Sequence, residues 1–305
     1  MPSRRENPPG SVFLSVSLLI LALPLCSPPL LAPARAADRP VLYLANADTD
    51  TLGFSVPTAH TVLTEPNLVV VTHGWYERQP WPGWTAQAIA QRVDRRTWCC
   101  AWYDWRPQAR RLRPSQAANI ARDTTGPQLA RQIVRLAPNL RHVHLIGHSA
   151  GTWLVNAAAQ IIAQDTQADI HLTFLDAYVP DGWNEQALGR LACQPPARCW
   201  VEHYFTRDSL NLTENVLPQA HNVDITALNP GFPGHKFPWH WYHATVAGSY
   251  TTDERFTTEP VFCQANGLTY GFARARQSGT HPWQQTLTLK PNTKPIRIYR
   301  PADNP

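Results

Sequence analysis

The chain is short of charge. Only 16% of its 305 residues are Asp, Glu, Lys or Arg, and no block of like charge interrupts it. A formal net charge of +5 is too small to mark a nucleic-acid partner. Internal repeats are absent, and no linker is long enough to divide domains, so the length points to one large α/β domain or two small ones. The one extended apolar run, Val12 to Leu25, is too short for a comfortable membrane span. None of the six cysteines stands at a Cys/His spacing suited to zinc, so neither a metal nor an organic cofactor is expected.

That early apolar run has another use. Arg4 and Arg5 precede it, and Ala34-Arg35-Ala36 offers a small-residue cleavage site before Ala37. Residues 1–36 therefore read as a secretory signal, and the protein is expected to be exported, periplasmic or secreted, with no membrane span after cleavage. Cleavage removes Arg4, Arg5 and Arg35 with Glu6, which lowers the net charge to +3. Export permits disulfides. Cys193 and Cys199 flank the turn-rich Gln-Pro-Pro-Ala-Arg and are expected to close a small loop, whereas Cys99, Cys100 and Cys263 do not pair evenly.

From residue 41 onward apolar runs alternate with helical patterns. Strands are expected at Val41–Ala45, Leu68–Val71, Thr97–Tyr103, Val143–Ile146, Ile170–Leu175 and Trp200–Phe205. Helices are expected at Gln87–Val93 and Ser115–Ala137, the second broken or bent at Gly126-Pro127. Near-continuous apolar strands separated by helices make a mostly parallel sheet with helices on both faces. The main domain is expected over 37–253. Residues 254–305 carry weaker strand-like pieces (270–273, 286–289 and 296–299) and read as an extension packed on it.

The organising stretch is Val143-His144-Leu145-Ile146-Gly147-His148-Ser149-Ala150-Gly151. An apolar strand turns through Gly-x-Ser-x-Gly into a helix marked by Leu154, Ala157, Ala158, Ile161 and Ile162. That context makes the pentapeptide a nucleophile elbow. The sharp reversal presses the residues two before and two after the serine together, so neither can carry a side chain, and it strains the serine backbone.

A serine needs a base and oxyanion donors. His73-Gly74-Trp75 follows the 68–71 strand, and the N–H groups of Trp75 and Ala150 would form the oxyanion hole; the plain alternative is that Gly74 merely makes a turn. Of twelve histidines, the base must lie late, above the sheet. Among His221, His235, His240, His243 and His281, only His235 closes a glycine-proline loop (Gly231 to Gly234) before a helix. Two carboxylates end strands after the elbow, Asp176 and Asp208. Asp208 sits in a polar turn where aspartate commonly caps backbone N–H groups, whereas Asp176 follows an apolar strand at once, where a buried carboxylate needs a partner. Trp75, Trp81, Trp84, Trp105, Trp183, Trp239 and Trp241 lie near these loops, as packing or as an aromatic wall for an acyl chain or aromatic alcohol.

Several of these pieces resemble the pancreatic-lipase-like family of α/β-hydrolases. They are Thr72 to Trp75, Gln116 to Asn119 with Gly126 to Ala130, Val143 to Gly151, Leu175-Asp176, and His235 to Val246. The resemblance implies the α/β-hydrolase fold and carboxyl-ester hydrolysis, usually of lipids, through Ser149, Asp176 and His235, with a small-molecule or lipid ester as partner and transient contact with a lipid surface. Two features depart from it. The family's acid is usually followed by proline, and here Ala177 follows. Seventy residues after His235 are too few for the C-terminal β-sandwich of the mammalian lipases, so a colipase-like partner is not implied. A peptidase or amidase on the same fold, and a binding protein that lost catalysis, are the competing readings.

Overall fold

A computed structural model describes residues 39–46, 53–207 and 213–248, with the short pieces 250–251, 256–257, 264–265, 268–272 and 287–288. The expected signal segment lies outside these residues, as do Asp208, Cys263 and the strand expected at 296–299. The described residues belong to one unit, Arg35–Pro305.

In chain order the elements are β1 (Val41–Asn46), β2 (Gly53–Ser55), β3 (Asn67–Thr72), α1 (Trp81–Ala90), β4 (Trp98–Asp104), α2 (Arg106–Ala109) and α3 (Pro114–Ile120). Then come α4 (Gly126–Leu136), β5 (His142–His148), α5 (Gly151–Asp165), β6 (Asp169–Leu175), β7 (Cys199–Phe205), β8 (His221–Asp224) and α6 (Phe237–Ala247). The short strands β9 (Tyr250–Thr251), β10 (Phe256–Thr257), β11 (Gln264–Ala265), β12 (Leu268–Thr269) and β13 (Leu287–Thr288) follow. Nine strands form one sheet in the order β13-β8-β7-β6-β5-β3-β4-β1-β2. Every pair from β13 to β4 is parallel, and β1 runs antiparallel to both β4 and β2. With helices on both faces, this is the α/β-hydrolase fold.

Side chains alternate across the strands and sort the core into two layers. Leu68 and Val70 of β3, Val143 and Leu145 of β5, and Ile170, Leu172 and Phe174 of β6 pack against α3, α4 and α5. Val69, Val71, Ile146, Leu175 and Tyr204 point the other way, toward α1 and α6.

Three expectations need correction. The first helix is Trp81–Ala90, six residues earlier than Gln87–Val93. Pro82 starts it, because a proline in the first turn forfeits only an N–H that has no helical acceptor. The segment 114–136 is interrupted next to Gly126-Pro127 by a π turn and not by a loop. A π-helical turn, Ala121–Thr125, carries the chain from α3 into α4. That turn stands just before a residue with no N–H to donate. The Thr125 hydroxyl donates to Ile120 O at 3.2 Å. Gly126 is needed for close packing: a Cβ there would lie 2.6 Å from Leu154 O on α5. Finally, β8 was not expected. Its sequence, His-Asn-Val-Asp, lacks an apolar run, yet all four residues are buried.

The extension beyond 253 contributes β13, which pairs with β8. Strand pairing covers 268–269 and, of the expected 270–273, not the described 270–272; Gly271, at φ +67°, turns the chain, and its N–H donates to the Tyr204 hydroxyl at 2.8 Å. Cys193 and Cys199 are joined, with Cα atoms 6.0 Å apart, while Cys99 and Cys100 are free thiols. Among the described residues no helix is long and apolar enough to cross a membrane.

Candidate active site

Three non-glycine residues have positive φ among the described ones: Tyr76 at +53°, Ser149 at +53° and Asp176 at +48°. Ser149 and Asp176 directly follow the parallel strands β5 and β6, and Tyr76 lies four residues beyond the end of β3. Such backbone is uncommon for residues with a Cβ and collects at functional sites.

Ser149 stands between β5 and α5, and its N–H donates to Leu175 O at 3.0 Å. The glycines around it are set by close approach. A Cβ on Gly147 would lie 2.7 Å from Gly151 O, which is the contact expected across the elbow. A Cβ on Gly151 would overlap the His73 carbonyl, and one on Gly74 would come 2.6 Å from the Ser149 Cβ. The 73–75 loop is therefore pressed directly against the serine.

Asp176 is fully buried, and burial pushes its carboxyl pKa upward, opposed chiefly by His235. His235 Nδ1 lies 2.6 Å from Asp176 Oδ2. An unprotonated carboxylate can only accept, so Nδ1 carries the proton and the neutral ring presents a basic Nε2. Asp176 Oδ1 accepts the Thr206 N–H at 3.0 Å. The His235 side chain is 39% exposed, so the ring opens to solvent on one side.

The loop that carries His235 has two ties the sequence did not disclose. The Thr206 hydroxyl donates to Gly234 O at 3.0 Å. His148 Nε2 lies 2.8 Å from His235 O and must be the donor, since a carbonyl only accepts. The two imidazoles lie 4.7 Å apart at their centroids. Burial, reinforced by the neighbouring His235, holds the His148 pKa well below its usual value, so it stays neutral. Both Thr206 and His148 act through backbone carbonyls, which no side-chain motif announces.

On the other flank, His73 Nδ1 lies 2.9 Å from Gly74 O and the Trp105 N–H donates to His73 Nε2 at 3.1 Å. Asp104 Oδ1 is 3.4 Å from that same Nε2. Because the Trp105 N–H already points at it, Nε2 accepts and Nδ1 donates; Asp104 is satisfied by Arg106. Holding the Gly74 carbonyl toward the His73 ring turns the Trp75 N–H the opposite way, since the peptide is planar and trans. Neither the Trp75 N–H nor the Ala150 N–H finds an acceptor among the described residues. Ala150 also caps the N-terminus of α5, where the helix dipole favours negative charge.

Ala177, where the resembled family has proline, carries an N–H that proline lacks. His203 Nε2 accepts it at 3.2 Å, and His203 Nδ1 pairs with Asn222 Oδ1 at 3.0 Å. His203 is thus a satisfied core group, as its place within a strand suggests. The tryptophans divide. Trp81, Trp105, Trp239 and Trp241 are buried packing, with Trp105 stacked on His73 and Trp81 on Trp239. Trp84 and Trp183 are half-buried, and Trp75 is exposed. The 181–198 segment is fastened to α5, where the Asn156 side chain bonds Ala187 O and the Gly189 N–H. No group of metal-binding side chains occurs among the described residues.

No family model matches the chain, and no curated protein matches it. Solved structures do. A lidless α/β serine hydrolase from Xanthomonas campestris aligns at 15% identity and TM-score 0.30, over 54% of this chain and 64% of that one. The LpqC poly(3-hydroxybutyrate) depolymerase from Bordetella parapertussis aligns at 17% identity and TM-score 0.31, over 60% and 66%. The match spans just under two thirds of either neighbour.

Proposed function

We propose that this chain is an exported serine hydrolase that cleaves carboxylic esters, of the pancreatic-lipase-like kind, with lipid esters the first class to test. Ser149 Oγ attacks the ester carbonyl and His235 Nε2 takes its proton. The Trp75 and Ala150 N–H groups receive the oxyanion. The tetrahedral intermediate then collapses; the carbon–oxygen bond to the alcohol breaks, and His235 returns the proton to the leaving oxygen. Water repeats the sequence on the acyl-Ser149 ester and frees the acid. Asp176 holds the imidazole in the required tautomer throughout. Export rests on residues 1–36 and the ester class on the family resemblance.

The observation that carries the reading is the 2.6 Å Asp176–His235 hydrogen bond beside a serine held at φ +53°. A fluorophosphonate probe tests it. Purified protein is expected to label at Ser149 alone, and Ser149→Ala to lose both labelling and hydrolysis of p-nitrophenyl esters. Folded wild type that neither labels nor turns over would point to a binding protein. Turnover of p-nitroanilides in preference to esters would move the reading to an amidase.

A further inference from the structure

Beside the site lies a cavity that the proposed chemistry does not use. It has a volume of about 570 Å³ and is lined by Arg110, Arg111, Leu112, Gln116, Asn119 and Ile120. Gln116, Asn119 and Ile120 are spaced to share one face of the helical turn that begins at α3. The loop 110–113 forms the opposite wall. That loop is coupled to the nucleophile: the Trp75 indole N–H donates to Arg111 O at 2.8 Å, and the neighbouring Gly74 touches Ser149.

The charge around this cavity is one-sided. Arg110, Arg111 and Arg113 are exposed, and none has an ion pair among the described residues. The nearby carboxylates are already engaged. Asp104 is held by Arg106 and Asp123 by Arg122, while Glu77 accepts from the Arg78 and Gln79 N–H groups and the Trp81 indole. Arg111 Nε donates to Gln108 O at 3.0 Å, which orients that guanidinium without neutralising it. Two guanidinium groups, two side-chain amides and two aliphatic side chains make a wall suited to an anion with a short carbon chain behind it.

We propose that this cavity is a subsite for an anionic group carried on the substrate, so that the enzyme takes soluble esters bearing a carboxylate a few carbons from the scissile bond. The subsite rests on the hydrolase reading and replaces its lipid-ester class with soluble anionic esters. The cavity has the size of a small-ligand pocket. Leu112 is 93% exposed, and Trp75, whose indole bonds Arg111, is exposed as well, so the proposal commits to a soluble anion and the vesicle comparison below sets it against an anionic lipid surface.

The test compares p-nitrophenyl hydrogen glutarate with p-nitrophenyl valerate, which has the same acyl length without the charge. Wild type is expected to show a lower KM for the glutarate ester, with the advantage fading as salt is raised. Arg110→Gln/Arg111→Gln is expected to raise that KM about ten-fold, leaving kcat and the valerate ester unchanged. Equal KM values for the two esters, unmoved by the variant, would overturn the subsite and leave the hydrolase reading standing. Calorimetric titration of glutarate into both proteins separates the converse case. Glutarate binding lost in the double variant, with neither ester turned over by wild type, would keep the anion site and overturn the hydrolase. Preference for phosphatidylglycerol vesicles without preference for the glutarate ester would overturn the soluble-ester form.

Discussion

The proposed nucleophile and the proposed base are held by different means. Ser149 is fixed by close packing: the glycines at 74, 147 and 151 let three backbone segments approach within contact, and α5 behind them is set in an aliphatic layer. His235 is fixed by hydrogen bonds: its Nδ1–H donates to Asp176, His148 donates to its carbonyl, and Thr206 donates to the carbonyl of the preceding Gly234, at the start of a helix on the opposite face. That face is aromatic and polar. His144 stacks on His171 at 3.8 Å and meets the Thr173 hydroxyl at 2.8 Å, while His171 Nε2 reaches the buried Glu202 at 3.0 Å. Packing is strong, non-directional and intolerant of volume change. Hydrogen bonds orient an imidazole and leave it able to exchange protons. Ser149 and His235 each sit on the side whose forces suit the role proposed for them.

The largest expected effect tests the hydrogen-bonded side. Asp176→Asn should cost on the order of ten-thousand-fold in kcat, because the imidazole loses its tautomer. Stability should move the other way. Burial raises the Asp176 pKa in the folded state, so the carboxyl favours folding at low pH and that contribution is lost as pH rises through the folded pKa. The variant should therefore gain stability relative to wild type between acid and neutral pH, read by thermal melts. A near-normal rate would reverse the assignment and return Asp208 to consideration.

The next comparison sets the two faces against each other. Leu154→Ala, in the aliphatic layer, should cost about 2–5 kcal/mol of stability with little change in kcat per folded molecule. Thr173→Val, in the polar layer, leaves His144 without its partner and should cost about 1–3 kcal/mol. If the two costs prove equal and both leave the rate alone, the division of labour between the faces is wrong.

The smallest effect per group is set by pH. Burial lowers the His203 and His243 pKa values to about 4, and His144 and His148 are also held well below their usual value. Their folded values lie below the unfolded one, so the stability they support is present above about pH 6.5 and is lost as pH falls through the folded values, about 4 for His203 and His243. Melting temperatures that stay level from pH 7 to pH 5 would contradict this.

How much of this was legible in the sequence follows from the same division. The elbow could be read because close approach demands glycine, and glycine is visible. The apolar strands could be read because a two-sided burial leaves a continuous run. β8 could not, because hydrogen bonds among buried polar groups replace the apolar signal; Asn222 alone bonds Leu217 and Ala220 carbonyls. The start of α1 was hidden because Trp-Pro-Gly-Trp has the composition of a loop. Asp176 and Asp208 could not be separated by order alone. The ties from Thr206 and His148 were invisible because their partners are carbonyls, which every residue has.

His203 has a bearing on how such a sequence can drift. Where a proline follows the acid, no N–H exists and nothing need receive it. With alanine at 177, an acceptor is required, and His203 supplies it from a neighbouring strand. Position 203 is thus constrained by the occupant of position 177, twenty-six residues away in the chain. The histidine could be replaced without penalty to that turn only with a proline already at 177. The reverse order would pass through an intermediate with an orphaned amide beside Asp176.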